Sequence, residues 1–243
     1  MTTIAVLPVK RFTLAKQRLA AGLDPDARRN LATSMVSDVL DALADVDGLD
    51  GVVVVSSDPH MLELAAASGA ETVVDRFEDG QSAAAEQGLL HPSVAAADRA
   101  LLVAGDTPAL DPGDLTTLLA TAPAAPSVVV VPDRHGTGTN ALLLSPPEVI
   151  VPAFGALSCP RHVDLAVSAG VASAVMPVAS LAFDVDTPQD LAALVRTLED
   201  HPDQNAQDRR VSAGSGRRHG TGLDHYPEVS LEGARRPGGG SCR

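Results

Sequence analysis

Short aliphatic runs recur along the first 200 positions, and most are followed by stretches in which apolar residues return every three or four places. Thr3 to Pro8, the almost pure valine run Gly51 to Ser56, and Glu71 to Val74 read as strands, because β-branched residues bounded by polar or glycine breaks suit a pleated surface. Leu101 to Val103, Val128 to Val131 and Ala141 to Leu144 have the same character. Between the first strands, Leu31, Met35, Val39 and Leu43 keep helical spacing, so a helix capped by Asp24-Pro25 runs to about Ala44. Asp58-Pro59 starts a second helix that ends at Gly69, and an alanine-rich third covers 83–90 after Asp79-Gly80-Gln81-Ser82. Asp111-Pro112 caps a fourth, and a turn through Phe154 to His162 enters a fifth that ends near Gly170. Ser180 to Asp186 reads as a last strand leading into a helix over 188–198.

Strand and helix alternate three times from the amino terminus, the βαβ rhythm of a doubly wound α/β protein. The expected architecture is three-layered, with a mostly parallel, mixed sheet. Nearly uninterrupted valine in the second strand suits a strand covered on both faces. In such sheets ligands bind at the carboxyl ends of the strands, which places Lys10, Ser57, Gly80, Gln81, Ser82 and the residues after Val103 on one rim.

Composition narrows the partners. Aromatics make up only 2% of the 243 residues and tryptophan is absent, so stacking on nucleobases along a strand is poorly served. Residues 1–200 hold 26 acidic against 11 basic side chains, a net charge of −15, which argues against a nucleic-acid surface. Cys159 and Cys242 form neither a disulfide framework nor a zinc spacing. The first apolar run is too short for a secretory segment, and no run approaches the roughly 18 to 20 residues of a membrane span. A cytoplasmic protein is expected. Beyond Asp200 the composition turns to Arg, Gly, Ser and Pro, so residues 1–200 are expected to form one domain and 201–243 a disordered tail.

Within the acidic chain, one segment reverses sign. Lys10 and Lys16, the only lysines, stand with Arg11 and Arg18 just after the first strand, a pattern suited to clamping a polyphosphate. The alternative is a solvated basic turn. A lone carboxylate, Asp106, ends the strand Leu101 to Val103; because the Asp111-Pro112-Gly113-Asp114 start already contains an N-cap for the next helix, Asp106 is either a ligand for a hard cation such as Mg²⁺ or a residue that tightens the Asp-Thr-Pro turn. Asp184 and Asp186, two apart on a strand, share a face and repel unless a cation lies between them. Thr187 with Asp190 supplies a capping box for the following helix without either of them.

The loop Asp133-Arg134-His135-Gly136-Thr137-Gly138-Thr139-Asn140 joins two strands with polar and glycine chemistry. Gly136 and Gly138 leave room for backbone N–H groups to converge on an anion; Thr137, Thr139 and Asn140 add short polar groups, and Arg134 and His135 add charge. The alternative is a hairpin loop of tolerant turn residues. Ser158 is either the N-cap of its helix or a hydroxyl donor to an anion at the helix's positive end. His162 reads as a packed or capping histidine rather than a catalytic base.

Pro8-Val9-Lys10 with Ala15-Lys16 and Arg18-Leu19, then Gly105-Asp106-Thr107-Pro108, Asp133 through Leu142, Phe154-Gly155 to Ser158 with His162, and Asp184-Val185-Asp186-Thr187-Pro188 together resemble the 2-phospho-L-lactate or phosphoenolpyruvate guanylyltransferases of coenzyme F-420 biosynthesis. The resemblance runs from residue 4 to about 198. It implies a fold like that of the nucleotide-diphospho-sugar transferases, and Mg²⁺-dependent transfer of GMP from GTP to the phosphate of a three-carbon acid. By the same resemblance Asp106, Asp184 and Asp186 hold the metal, Lys10 and Lys16 face phosphates, and Thr139, Gly155 and Ser158 bind the acceptor. The product would pass to the next enzyme of the pathway. Two positions depart from the family pattern: Thr107 stands where cysteine is usual, and Leu157 where the second glycine of FGPGS is usual. If position 157 needs a positive φ, the acceptor pocket must differ locally. The rivals are a nucleotidyltransferase acting on molybdopterin or a sugar phosphate, and a catalytically silent nucleotide-binding module.

Overall fold

The computed structural model describes residues 1–10 and 24–182, together with Asp184, Thr187 and Asp190. Seven strands form one sheet: β1 (Thr3–Val9), β2 (Gly51–Ser56), β3 (Glu71–Val74), β4 (Arg99–Val103), β5 (Ser127–Pro132), β6 (Thr139–Ser145) and β7 (Ala172–Val175). Their order is β3-β2-β1-β4-β6-β5-β7, and every neighbouring pair is parallel except the two made by β6. The mixed, mostly parallel sheet expected from the strand–helix rhythm is therefore present, with a single reversed strand in its middle.

Helices cover both faces. Alternation along β1 sends Ala5 and Leu7 to one side and Ile4 and Val6 to the other, all buried. On the first side lie α1 (Pro25–Ala44), α2 (Pro59–Ala67) and α5 (Pro112–Thr121), through Leu31, Met35, Met61, Leu115 and Leu118. On the second lie α3 (Gln81–Leu89), the single turn α4 (Pro92–Ala95) and α6 (Ser158–Ser168), through Ala84, Ala85, Val94, Cys159 and Ala166. Each fully buried Leu or Val side chain contributes about 1.5 to 3 kcal/mol before entropy is charged against it. Small residues set how close α3 comes: a Cβ on Gly88 would collide with Val6 Cγ1 and sit 3.0 Å from Val55 Cγ2.

Aspartates start the helices as the sequence predicts. Asp24, Asp58 and Asp111 each accept a backbone N–H in the first turn, and a proline follows each. Two expectations fail. Where a strand is predicted over Ser180 to Asp186, the described residues show none: Ala179–Leu181 is a 3-10 turn and Asp184 lies in irregular chain, while Phe183, Val185 and Asp186 lie outside the described residues. In its place Ala172–Val175 pairs with β5; these four residues, largely exposed, carry too little apolar signal to announce a strand. The helix expected over 188–198, apart from Asp190, and the tail beyond 200 lie outside the described residues.

Candidate functional site

Parallel strands deliver their carboxyl ends to one edge of the sheet. Lys10 follows β1 directly and is exposed, Ser57 follows β2, and Asp106 comes just after β4. The reversed strand β6 presents its first residues at that same edge, where the Ala104 N–H donates to the Asn140 carbonyl at 2.9 Å. Asp111 caps α5 alone, so Asp106 has no capping duty, as expected.

A bulge re-aims the start of β6. Along the regular part of the strand Ala141 and Leu143 face the α1 side, Leu142 and Leu144 the α3 side. Strict alternation would put Thr139 with Ala141. The register with β5 slips at this point: Val131 pairs with Ala141, but Pro132 pairs with Thr139, leaving Asn140 extra. Thr139 consequently turns to the α6 side, where Oγ1 is 3.1 Å from His162 Nδ1. Asn140 turns the other way, and its Nδ2 donates to the Leu181 carbonyl at 2.7 Å. Both side chains are nearly buried.

The glycine loop fills its own anion cradle. N–H groups of His135 (3.1 Å) and Thr137 (2.9 Å) converge on Asp133 Oδ1, and the Gly136 N–H donates to the Asp133 carbonyl. Burial pushes the Asp133 carboxyl upward, but the backbone donors of Gly138, Thr137 and His135 outweigh it and leave its pKa below the usual 3.8. The convergence predicted from the glycines is real, with a different occupant: the loop's own carboxylate takes those donors. Gly136 adopts φ 71°, whereas Gly138 is needed for space, since a Cβ there would sit 2.7 Å from Asp133 Oδ2.

The rigid loop then docks on α6. Cys159 N–H donates to the Thr137 carbonyl at 3.1 Å, which brings the polar loop against the helix's first turn. Ser158 is the first residue of α6 and buried; Leu157 holds the cap position and provides no side-chain cap, so Ser158 is not an N-cap. Leu157 sits at φ 57°, ψ 31°, and Gly155 at φ 113°. The usual glycine position therefore does require the left-handed region, and leucine adopts it at a cost of roughly 1–2 kcal/mol rather than the turn changing shape. Two residues of α6 hold the turn from behind. Arg161 donates to the carbonyls of Ala153 and Ala156, and His162 Nε2 accepts the Ala153 N–H at 2.9 Å. His162 is fully buried with Phe154 edge-on to its ring, and burial together with the Arg161 charge lowers its pKa to about 4. That is a packed, neutral histidine, as expected from the sequence. Ser82 in the first turn of α3 accepts the Phe154 N–H at 2.9 Å, so the Gly80-Gln81-Ser82 corner and the α6 turn abut.

A third segment is pinned across the rim. Ser180 donates its hydroxyl to Asp114 Oδ2 at 2.7 Å in the first turn of α5, Leu181 accepts from Asn140, and the Ala182 carbonyl accepts the Arg134 N–H at 3.0 Å. Asp184 follows in the chain. The hydrogen bond to Asp190 is the largest influence raising the Arg134 pKa, and the charge of Asp184 adds to it. Arg134 Nη1 lies 2.7 Å from Asp190 Oδ1 and its Nε 3.1 Å from His135 Nε2, so both basic residues of the loop are engaged locally. Sequence reasoning missed this pairing and the bulge, because neither leaves a mark in periodicity or spacing. Lys16, Arg18 and Asp186 lie outside the described residues. Among the described residues no group of three metal-ligating side chains occurs, and no helix is long and apolar enough to cross a membrane.

A three-layer sheet whose rim gathers a lysine, an aspartate and two glycine-marked turns at one edge is the architecture of nucleotidyltransferases. A solved protein from Desulfovibrio desulfuricans G20, assigned as a nucleotide-diphospho-sugar transferase, shares this fold with a TM-score of 0.64 at 18% identity, over 82% of this chain and 88% of its own. The family model described as guanylyl transferase CofC like matches residues 3–206, and the chain belongs to that family. Phosphoenolpyruvate guanylyltransferase of Conexibacter woesei is 48% identical over 195 residues, 80% of this chain and 87% of the relative. 2-Phospho-L-lactate guanylyltransferase of Methanothermobacter thermautotrophicus is 34% identical over 197 residues, covering 80% and 85%.

Proposed function

We propose that the protein transfers GMP from GTP to the phosphate of phosphoenolpyruvate, releasing diphosphate, as a step of coenzyme F-420 biosynthesis in the cytoplasm. The observation that carries the reading is the docking of the loop 133–139 on the first turn of α6, which gathers Thr139, Gly155 and Ser158 around one helix amino terminus. Such an end carries partial positive charge that favours a small anion. The Ser158 and Cys159 N–H groups donate to the Gly155 and Thr137 carbonyls, so the donors offered to the acid are the side-chain hydroxyls of Thr139 and Ser158 and the backbone at Gly155. Family membership and the 48% identical relative supply the chemistry and favour phosphoenolpyruvate as the acid.

In the reaction an oxygen of the acceptor phosphate forms a bond to the α-phosphorus of GTP while the bond to the bridging oxygen breaks and diphosphate leaves. An acceptor phosphate is already a nucleophile at neutral pH, so the protein's work is positioning two anions and neutralising charge. Lys10 and Lys16, with Arg18, are assigned to the triphosphate, and Gly80, Gln81 and Ser82 to the nucleoside side. Thr139, Gly155 and Ser158 are assigned to the acid, and Asn140 to holding the segment that leads to Asp184.

Asp106 and Asp184 offer hard carboxylate oxygens, which suit Mg²⁺, and Asp186 is assigned as the third. The fit rests on placement: the anchors at Asp114, Asn140 and Arg134 carry the chain across the rim just before Asp184. When bound, the ion supplies charge neutralisation at the transferring phosphate. The test is diphosphate release from GTP with phosphoenolpyruvate and 2-phospho-L-lactate in parallel, with ATP and CTP as controls and the next pathway enzyme present to draw off product. Release with phosphoenolpyruvate and GTP is expected; none with either acid, in protein that still binds GTP, overturns the proposal.

A further inference from the structure

His162 is wholly buried, and both ring nitrogens are in hydrogen-bond contact. A backbone N–H can only donate, so the 2.9 Å contact from Ala153 makes Nε2 an acceptor without a proton. In the neutral ring the single proton then resides on Nδ1, and Nδ1 must donate to Thr139 Oγ1, 3.1 Å away. The threonine hydroxyl spends a lone pair on that bond and keeps its own hydrogen. Its direction is no longer arbitrary: with Nδ1–H behind it, the hydrogen must point elsewhere.

We infer that His162 is a positioning residue which, through its backbone-locked tautomer and the β6 bulge, holds the Thr139 hydroxyl as a donor aimed at an anionic oxygen of the acceptor acid. The inference deepens the proposed function and rests on Thr139 serving the acid. Three features act together. The bulge turns Thr139 toward α6; Ala153, in the segment that leads to Gly155, fixes the tautomer; and Phe154, edge-on with ring centres 5.2 Å apart, restrains the ring. The same histidine thus ties the acid's hydroxyl donor to the turn that carries Gly155 and Ser158, so that the two sides of the acid subsite share one rigid support. A neutral ring is also required, because an imidazolium would need an acceptor where Ala153 offers a donor.

Replacement by glutamine separates the two bonds. In His162→Gln the amide oxygen reaches the place of Nε2 and keeps the Ala153 N–H satisfied, while the donor at the place of Nδ1 is lost. The expected result is a KM for the acid raised roughly tenfold, the scale of one directed hydrogen bond to a charged group, with kcat and the KM for GTP within about twofold. In a Thr139→Val background the same substitution should add nothing further, because the hydroxyl it orients is gone. An unchanged acid KM, or an equal effect of His162→Gln with and without the Thr139→Val substitution, would overturn the inference. ¹⁵N NMR of the unsubstituted protein at neutral pH tests the tautomer without any turnover: a proton on Nδ1 is expected, and a proton on Nε2 sinks the idea. If the unsubstituted protein releases no diphosphate with either acid, the functional reading fails, and the NMR result still decides the tautomer.

Discussion

Arg134 and Asp190 form an ion pair at 2.7 Å that closes the glycine loop onto the far end of the chain's described part. Asp190 Oδ2 accepts both the N–H and the hydroxyl of Thr187 at 2.8 Å, and the Asp190 N–H returns to Thr187 Oγ1 at 3.2 Å. The capping box predicted from Thr187 and Asp190 is thus present, and its carboxylate has a second employer. Asp184 lies between the two anchor points, the Ala182 carbonyl and Asp190, and its charge acts on the Arg134 guanidinium, so the ion pair restrains the segment that carries the carboxylate assigned to the metal.

Removing the cation should therefore cost stability and activity together. Arg134→Ala leaves a carboxylate that is only 8% exposed without its arginine, and about 2 kcal/mol of stability should go, less than for a fully buried pair because Arg134 itself reaches solvent. Denaturant unfolding measures the first effect, and the Mg²⁺ concentration for half-maximal rate, expected to rise, measures the second. A variant as stable as the parent with unchanged Mg²⁺ dependence would show the pair to be incidental.

His162 makes stability depend on pH in a defined window. Its pKa is lowered by burial and by Arg161 to about 4 in the fold, against 6.5 when exposed. Between those values the unfolded chain binds the extra proton, so stability falls as pH drops from 6.5 toward 4 and is unaffected by this group above that window. The difference in unfolding free energy between the parent and His162→Gln should shrink steadily over that range. A difference that is flat from about pH 7 to 4 would mean the ring is not held neutral.

Much of this was legible in the chain. Aliphatic runs located six of seven strands, and Asp-Pro pairs located three helix starts, because burial on both faces and helix capping each act within a few residues. The loop at 133–140 was legible as a polar convergence, but its occupant was not: that Asp133 turns back on its own N–H groups depends on the turn closing. The bulge at Asn140 was invisible because it is a relation between two strands, and the start of the predicted strand at Ser180 misled because an apolar–polar alternation imitates a strand even where the backbone groups of Ser180, Leu181 and Ala182 bond to Asp114, Asn140 and Arg134 instead.

Gly138 should tolerate no side chain. Alanine would place its Cβ 2.7 Å from Asp133 Oδ2, an atom of the carboxylate that organises the loop's N–H groups and cannot retreat without releasing them. Gly138→Ala should lose about 1–2 kcal/mol, as other overpacked sites do, and should raise the KM for the acid because Thr139 follows directly. Gly136→Ala meets no atom within 4 Å but carries the strain of φ 71°, so its cost should fall in stability with a smaller change in KM.

Leu157 stores strain that glycine would release. At φ 57° and 60% exposure, its side chain contributes little burial to set against a left-handed backbone. Leu157→Gly should be neutral or stabilising by up to about 1 kcal/mol, the relief being partly offset by the freer unfolded chain. Leu157→Val, branched at Cβ, should be the least stable of the three. Melting temperatures rank them, and an order with valine above glycine would mean that the turn does not hold its left-handed form in solution.

Asp106 follows the end of β4, and Asp184 follows the segment pinned by Asp114, Asn140 and Arg134. Neither caps a helix that the described residues contain, and carboxylates on an anion-binding edge oppose the substrate unless a cation intervenes. Substituting either by asparagine keeps the shape and removes the charge. For Asp106→Asn and for Asp184→Asn alike, the rate of diphosphate release should fall by on the order of 10²-fold or more, the scale of losing one preorganised electrostatic group, with the melting temperature little changed. Raising Mg²⁺ should recover part of the rate if weakened metal binding is the cause. Full activity in both variants would remove the metal assignment, whereas loss in Asp106→Asn alone would confine the ion to the end of β4.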